Sequence, residues 1–347
     1  MRPFPEFFPR PRHAGLIVSG ATLLAGLGLI CWPGQCLSRG GSGTPSKLPA
    51  LEGAPLSINR VLALLPYNDT LPRSEDGRHY PLLPNDVNTL ATLLASLEEA
   101  LRTPDTPADT LPRLGHQQQV IYRVLAHRRS LADQVRAALP KRWQAVFDHH
   151  VGARREFLAM HRGQRSLTLP SWRIIPPEPA DHLLRYYKEA AAATGIPWEV
   201  LAAVNLVESG MGRLDGVSVA GAQGPMQFLP TTWAEPGIGK GDIRNPRDAI
   251  HAAARYLVRR GGAAKIKQAL WGYNNSDHYG NAVLHYAALM KDDPAAFQGL
   301  YHWEIHFASG AGDLWLPVGY SQPRPISVAS FLREFPASAP PAGSSGY

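Results

Sequence analysis

Leucines repeat at helical spacing in the first half of the chain. Five of them between residues 90 and 101 share one face of a predicted amphipathic helix over 85–101. The segments 114–139 and 142–160 predict two longer helices that are separated at Pro140, because proline interrupts a helix. We expect these two helices to form a hairpin within an N-terminal helical domain, residues 57–165.

After residue 180 the pattern changes to short helices with clear ends. Gly195 and Gly261 follow predicted helix ends, and Asn245 precedes a predicted start. Alternating strand-like residues occur only near the C-terminus, where 301–308 and 314–320 predict a small β-hairpin. The fold class predicted is therefore all-α with this one hairpin. The predicted helices cover 182–194, 198–209, 245–261, 263–270 and 276–291.

An uncharged apolar run of 19 residues, Ala14 to Trp32, follows three arginines. This arrangement predicts targeting to the membrane with the N-terminus in the cytoplasm. The run reaches the roughly 17–25 residues that span a bilayer, which favours a retained anchor. A cleaved signal peptide stays open as the alternative. Both place the chain after residues 1–37 in the cell envelope, outside the cytoplasmic membrane.

Low-complexity segments mark the boundaries of the remaining chain. Residues 38–56 are a Gly/Ser/Pro linker, and residues 166–180 are a proline-rich connector. The tail, residues 336–347, is predicted to be disordered. The only cysteines are Cys31 and Cys36, so the body of the protein has no disulfide scaffold, cysteine nucleophile or thiolate metal site.

The net charge of +7 favours anionic partners. It is concentrated in the basic hairpin, residues 113–165, which has eleven Lys/Arg against three Asp/Glu. One interpretation is a solvated surface. The other is contact with anionic lipid or wall polymer through residues such as Arg128, Arg129, Arg154 and Arg155. A location outside the cytoplasm argues against nucleic acid.

The segment 198–209 is apolar on every side, which is typical of a helix buried in a core. Glu208 stands at its C-terminal end, before Ser209 and Gly210. Burial and the partial negative charge of a helix C-terminus both disfavour the carboxylate and raise its pKa. A general acid that works near neutral pH requires such a shift. The alternative is an exposed glutamate at a fraying helix end.

Further candidate residues follow in the segment GAQGPMQFLPTTW. Gln227 can donate and accept hydrogen bonds, which suits an acetamido or hydroxyl group. Met226 and Phe228 are expected to provide an apolar floor on which a sugar ring stacks. Tyr273 and Asn274 place a phenol and an amide at a predicted helix junction.

Taken in order, Glu208-Ser-Gly, Gly-x-Met-Gln and Tyr-Asn resemble the catalytic domain of the lytic transglycosylases. These peptidoglycan-cleaving enzymes have a lysozyme-like fold related to goose-type lysozyme. The resemblance covers about residues 182–290 and departs at Pro225, where many members have Leu or Val. The basic hairpin and the segments 172–179 and 301–320 also look like membrane-associated actinobacterial members. The lysozyme-like domain is expected over 181–335.

The resemblance implies non-hydrolytic cleavage with one carboxylate. Glu208 would protonate the glycosidic oxygen between N-acetylmuramic acid and N-acetylglucosamine, and would then accept the proton of the muramoyl C6 hydroxyl. Gln227 and Tyr273 would hold the acetamido group or Glu208, Asn274 would shape the same wall, and Ser209 would orient Glu208 or the sugar. The resemblance implies no metal or organic cofactor.

Three other functions remain open at this stage. A lysozyme-type hydrolase needs a second carboxylate, for which Asp215, Asp242 and Asp277 are candidates. A non-catalytic wall-binding scaffold would have no need of a buried acid. A zinc site is the third alternative: His302 and His306 have the spacing of a zinc pair only on a helix, and this segment predicts a strand. His149, His150 and His278 are equally weak metal candidates.

Overall fold

The computed structural model describes residues 57–160 and 166–341. The predicted membrane segment, the linker at 38–56 and the last six residues of the predicted tail lie outside these ranges. None of the helices in the described ranges combines the length and the apolar character that crossing a bilayer requires.

Helices dominate the fold, as the pattern predicts. In the first part of the chain they are α1 Ile58–Leu64, α2 Val87–Ala100, α3 Leu111–His127, α4 Arg129–Ala138 and α5 Lys141–Met160. After the connector they are α6 Ala180–Thr194, α7 Trp198–Ser209, α8 Pro230–Trp233, α9 Pro246–Arg260, α10 Ile266–Asn274, α11 Asp277–Asp292, α12 Ala296–Tyr301 and α13 Val328–Glu334.

Three two-stranded antiparallel sheets supplement the helices. The C-terminal hairpin pairs β4, Ile305–Ser309, with β5, Gly312–Leu316, and Phe307 lies opposite Leu314. The other two sheets pair distant segments. The strands β1 Thr168–Leu169, β2 Arg173–Ile174, β3 Leu214–Asp215 and β6 Ile326–Ser327 form the pairs β1–β6 and β2–β3.

Several helix ends form as the sequence predicts. The Asn245 side chain accepts a hydrogen bond from the backbone N–H of Asp248 at the start of α9. Gly195 and Gly210 adopt left-handed conformations, with φ of 75° and 59°, at the ends of α6 and α7. The helix α7 has the bounds that the apolar pattern predicts.

The structure corrects four boundaries. The predicted strand 314–320 is displaced, because β5 begins at Gly312 and ends at Leu316. The predicted hairpin helix 114–139 is two helices, because the backbone leaves helical geometry at Arg128. The predicted strand 301–308 begins only at Ile305, since Tyr301 ends α12 and His302 caps it. The predicted disordered tail begins too early: Pro336–Ser338 form a 3-10 turn whose Ala337 and Ser338 are buried.

One continuous apolar core runs from Val61 in α1 to Trp303. The helix α5 packs along α11, and α7 also packs against α11. The connector at 166–180 therefore does not separate two cores. It contributes Leu169 and Trp172 to a smaller cluster with Phe307 and Phe331, beneath the short sheets.

Candidate active site around Glu208

The end of α7 holds Glu208 inside the protein. The helix is buried through most of its length, and Gly210 stops it by taking a left-handed conformation that side chains other than glycine rarely adopt. Glu208 is fully buried. The exposed, fraying position considered from the sequence is therefore wrong.

The Glu208 carboxyl has one hydrogen-bond partner. Its Oε1 accepts a hydrogen bond of 2.7 Å from the Tyr279 hydroxyl, and its Oε2 has none. Burial raises the pKa of Glu208 to about 8, although the hydrogen bond from Tyr279 acts in the opposite direction. The group is therefore mostly protonated at neutral pH and can act as a proton donor.

Gln227 lies in a tight loop opposite the end of α7. Its backbone has a positive φ of 47°, and its Nε2 donates to the Gly224 carbonyl at 2.9 Å. Gly224 also has a positive φ, and a Cβ there would collide with the Ile243 carbonyl, so the turn requires glycine. The Oε1 of Gln227 is buried without a partner and is available to accept a hydrogen bond.

Tyr273 holds this loop in place. Its hydroxyl donates to the Met226 carbonyl at 2.8 Å, and its ring lies parallel to that of Tyr279 with 6.2 Å between centroids. Met226 and Phe228 are themselves buried in the core. The predicted apolar floor for a sugar is therefore wrong for these two side chains, because Phe228 packs against Tyr256 and Tyr273.

Ser209 connects α7 to the loop. Its hydroxyl donates to the Pro225 carbonyl at 2.5 Å and accepts from the Gly212 N–H at 3.0 Å. Asn205 donates to the same Pro225 carbonyl at 2.7 Å. Ser209 therefore orients Glu208 indirectly, through the loop. Asn274, the last residue of α10, is half-buried beside Tyr273.

Tyr279 and Asn205 are the two site residues that sequence reasoning missed. Tyr279 lies in the first turn of α11, and its backbone N–H donates to the Ser276 hydroxyl. The predicted start of this helix is the one sequence feature that points to Tyr279. Asn205 lies one helical turn before Glu208, and the apolar residues on both sides of it conceal it in the sequence pattern. A buried amide in such a helix requires a polar partner.

Two of the three candidate second carboxylates bind other groups, and the third is exposed. Asp215 pairs with Arg173 and with Arg244. Asp242 accepts from the Arg244 backbone, and Asp277 is exposed in the first turn of α11. Within residues 57–160 and 166–341, no carboxylate contributes to the shifted pKa of Glu208.

The histidines singled out in the sequence are distributed over several contacts. His302 contacts Gln298, whereas His306 lies between His116 and Asp313, with 3.0 Å to each. Other ring nitrogens pair His149 with His285 and His278 with Glu156, and His150 stacks on Tyr122. Among the described residues, no group of three or more metal-binding side chains is placed to hold an ion.

Comparison with known families matches residues 185–288 to the transglycosylase SLT domain. The matched segment runs from α6 into α11 and contains Glu208, Gln227, Tyr273 and Tyr279. No curated protein and no solved structure matches the chain. At residues 185–288 the chain therefore carries an SLT-type catalytic domain of the lytic transglycosylases, with an all-α, lysozyme-like fold.

Proposed function

We propose that this protein is a peptidoglycan lytic transglycosylase that uses Glu208 as its only acid and base. The SLT domain supports action on peptidoglycan in general. One observation supports the specific reaction: within the described chain the buried Glu208 carboxyl is bonded by Tyr279 alone, whereas the candidate second carboxylate Asp215 is held by two arginines. An inverting hydrolase would require such a second group roughly 6.5–9.5 Å away.

The proposed reaction has two proton transfers. The Glu208 carboxyl donates its proton to the glycosidic oxygen, and the bond from that oxygen to the muramoyl C1 breaks. The resulting Glu208 carboxylate accepts the proton of the muramoyl C6 hydroxyl, whose oxygen then bonds to C1. The products are an N-acetylglucosamine end with a free hydroxyl and a 1,6-anhydro muramoyl end, and Glu208 regains its proton.

Two side chains of the site fit these two proton transfers. The Tyr279 hydroxyl donates to Oε1 and stabilises the carboxylate that forms after the first transfer. The unpartnered Oε1 of Gln227 suits the N–H of an acetamido group. That acetamido group would stabilise the positive centre at C1, as in other substrate-assisted glycosidases.

The test is mass spectrometry of the fragments released from purified peptidoglycan. Wild-type protein should release fragments lighter by one water than the corresponding hydrolysis products, and Glu208→Gln should release none. Glu199→Gln is the matched control, since Glu199 lies in the first turn of the same helix and is half-buried. Fragments with reducing ends would instead assign the protein as a hydrolase.

We also propose that the protein acts in the cell envelope, where its polymer is found, and that exposed arginines contribute to retention there. Arg128 and Arg129 are exposed at the α3–α4 junction. Arg154 cannot serve this purpose because it is buried. Serine at 128 and 129 should reduce co-sedimentation with anionic wall material by severalfold at low salt; unchanged co-sedimentation would remove this proposal.

A further inference from the structure

A cavity of about 80 Å³ lies between the N-terminal helices and the end of α7. Arg123, His150 and Arg154 line it from α3 and α5, and Leu206, Val207 and Gly210 line it from α7. All residues around it are buried except Val207, which is half-buried. Val207 is therefore the most exposed residue of the lining, and it precedes Glu208 in the chain. The helices α3 and α5 lie outside the matched SLT segment.

Arg154 brings an uncompensated positive charge to this cavity. Its side chain is buried, and neither Nε nor Nη1 has a hydrogen-bond partner. Burial and the nearby Arg123 lower the pKa of Arg154 to about 9, although Asp313 acts in the opposite direction. The guanidinium therefore remains mostly protonated at neutral pH, and buried charges in proteins are normally paired.

The other charges around the cavity are already compensated. Arg123 forms an ion pair with Asp313, with 2.6 Å between Nε and Oδ2. Glu304 pairs with Arg78 at 2.9 Å. Among the described residues that line the cavity, one positive charge therefore remains, and it belongs to Arg154.

His150 adds a second hydrogen-bonding group on the same face of α5, four residues before Arg154. Its Nδ1 is buried without a partner. Burial lowers the pKa of His150 to about 3, so the ring is neutral at physiological pH and can donate one hydrogen bond without adding charge. The ring is fixed by stacking on Tyr122, with 4.1 Å between centroids.

We propose that this cavity binds one carboxylate group, held by Arg154 with His150 beside it. A single remaining positive charge matches a monoanion, and the Glu304 carboxylate in the same wall disfavours a doubly charged anion. The volume admits a group the size of formate or acetate. Water could satisfy the hydrogen bonds but could not neutralise the charge.

Two sources can supply this carboxylate. One is a small free acid. The other is the free lactyl carboxylate of a muramoyl residue that has lost its peptide, since Val207 in the cavity wall is the chain neighbour of Glu208; only this second source rests on the proposed function.

The first test is thermal unfolding of the full chain in acetate and in chloride at equal pH and ionic strength. Acetate should raise the Tm of the wild type in a saturable manner. Arg154→Met should not respond to acetate, and in chloride its Tm should exceed that of the wild type, because an unpaired buried charge is gone. Arg129→Met removes an exposed arginine and should respond as the wild type does.

A wild-type Tm that is equal in acetate and chloride would overturn the proposal, as would an equal acetate response in Arg154→Met. If Arg154→Met does not fold, calorimetric titration of the wild type decides. Formate and acetate should bind, whereas sulfate should not. Equal heats for all three anions would show nonspecific association and contradict a built site.

Competition distinguishes the two sources. If the substrate supplies the carboxylate, acetate should raise the KM for glycan strands with free lactyl carboxylates and leave kcat unchanged, with no effect on strands whose carboxylates are amide-linked to peptide. Acetate binding without competition supports a free acid. If the chain cleaves no glycan, the proposed function fails, but the acetate titration still tests the cavity.

Discussion

Two glutamates, Glu98 and Glu208, are both fully buried, yet their surroundings drive them to opposite charge states. Burial alone would raise the pKa of Glu98, but Arg102 and the hydrogen bonds from Tyr122 and Gln118 outweigh it and hold the pKa below its usual value. The Tyr122 hydroxyl lies 2.5 Å and the Gln118 amide 2.9 Å from Oε1. For Glu208 burial dominates, and its pKa rises to about 8.

This difference separates a structural carboxylate from a chemically active carboxyl. Every acceptor of Glu98 is used within the protein, so that group stabilises the packing of α2 on α3 as a permanent anion. Glu208 has one partner and one free oxygen, so its charge state can change during a reaction. The number and charge of the partners, and not burial, decide the role.

The largest expected effect is on activity. Glu208→Gln should lower the rate of glycan cleavage by about 10²–10⁴-fold, because a positioned general acid contributes that much. Glu98→Gln should leave the rate per folded molecule within a few-fold of wild type. A release assay on purified peptidoglycan, normalised to folded protein, measures both. Equal losses in the two variants would contradict the distinction between them.

Replacing the structural carboxylate Glu98, and not the active carboxyl Glu208, should lower the stability of the fold. Glu98→Gln removes the buried anion that pairs with the half-buried Arg102, and we expect a loss of about 3 kcal/mol in the free energy of unfolding. The loss lies at the low end for a buried pair because Arg102 retains Asp293. Glu99→Gln, which affects a surface pair with Arg142, should cost less than about 1 kcal/mol. Urea unfolding followed by circular dichroism compares the three proteins.

The pH dependence of stability should identify the buried neutral acid. The folded-state pKa of Glu208 lies above that of the unfolded chain, so its contribution is favourable at low pH and is lost as pH rises from about 4.5 to 8. Glu208→Gln removes this loss. The free energy of unfolding of Glu208→Gln, relative to that of the wild type, should therefore increase by about 3 kcal/mol between pH 5 and pH 8. The increase corresponds to about 1.36 kcal/mol per pKa unit. A constant difference would mean an ordinary pKa.

The smallest effect should come from Tyr279→Phe. The hydroxyl lowers the pKa of Glu208, so its removal should move the alkaline limb of the kcat/KM–pH profile upward from about 8 by about half a unit to one unit. The rate at neutral pH should fall by about 10-fold, since the hydrogen bond to the carboxylate is worth about 1.5 kcal/mol. Tyr186→Phe, which removes a half-buried hydroxyl remote from α11, is the control.

The sequence was sufficient for those parts of the fold that depend on local pattern. The apolar run and the following glycine predicted the bounds of α7, and the ordered motifs predicted the SLT domain. The sequence was insufficient where contacts between distant segments determine a helix end or the burial of a side chain. The break at Arg128 has no proline or glycine to announce it, and the burial of Arg154 depends on α5 packing against α11.

In the candidate site, too, the features set by local sequence were predictable and those set by distant contacts were not. The sequence identifies Glu208 because the apolar helix and the Glu-Ser-Gly motif lie in the same short stretch of chain. Tyr279 was missed because its contact with Glu208 joins residues that are 71 positions apart. The prediction that Met226 and Phe228 contact a sugar is wrong because both side chains are buried in the core. Apolar residues near a motif suit a sugar-binding surface and a core equally well, so the sequence alone does not distinguish the two.

The central claim is that Glu208 transfers protons without a water nucleophile, and digestion of purified peptidoglycan in heavy-oxygen water tests it most directly. We predict that the muramoyl ends released by the wild type contain no heavy oxygen and are lighter by one water than free reducing ends, and that Glu208→Gln releases none. Heavy oxygen at C1 of the released muramoyl ends would contradict the account and assign the buried acid to a hydrolase.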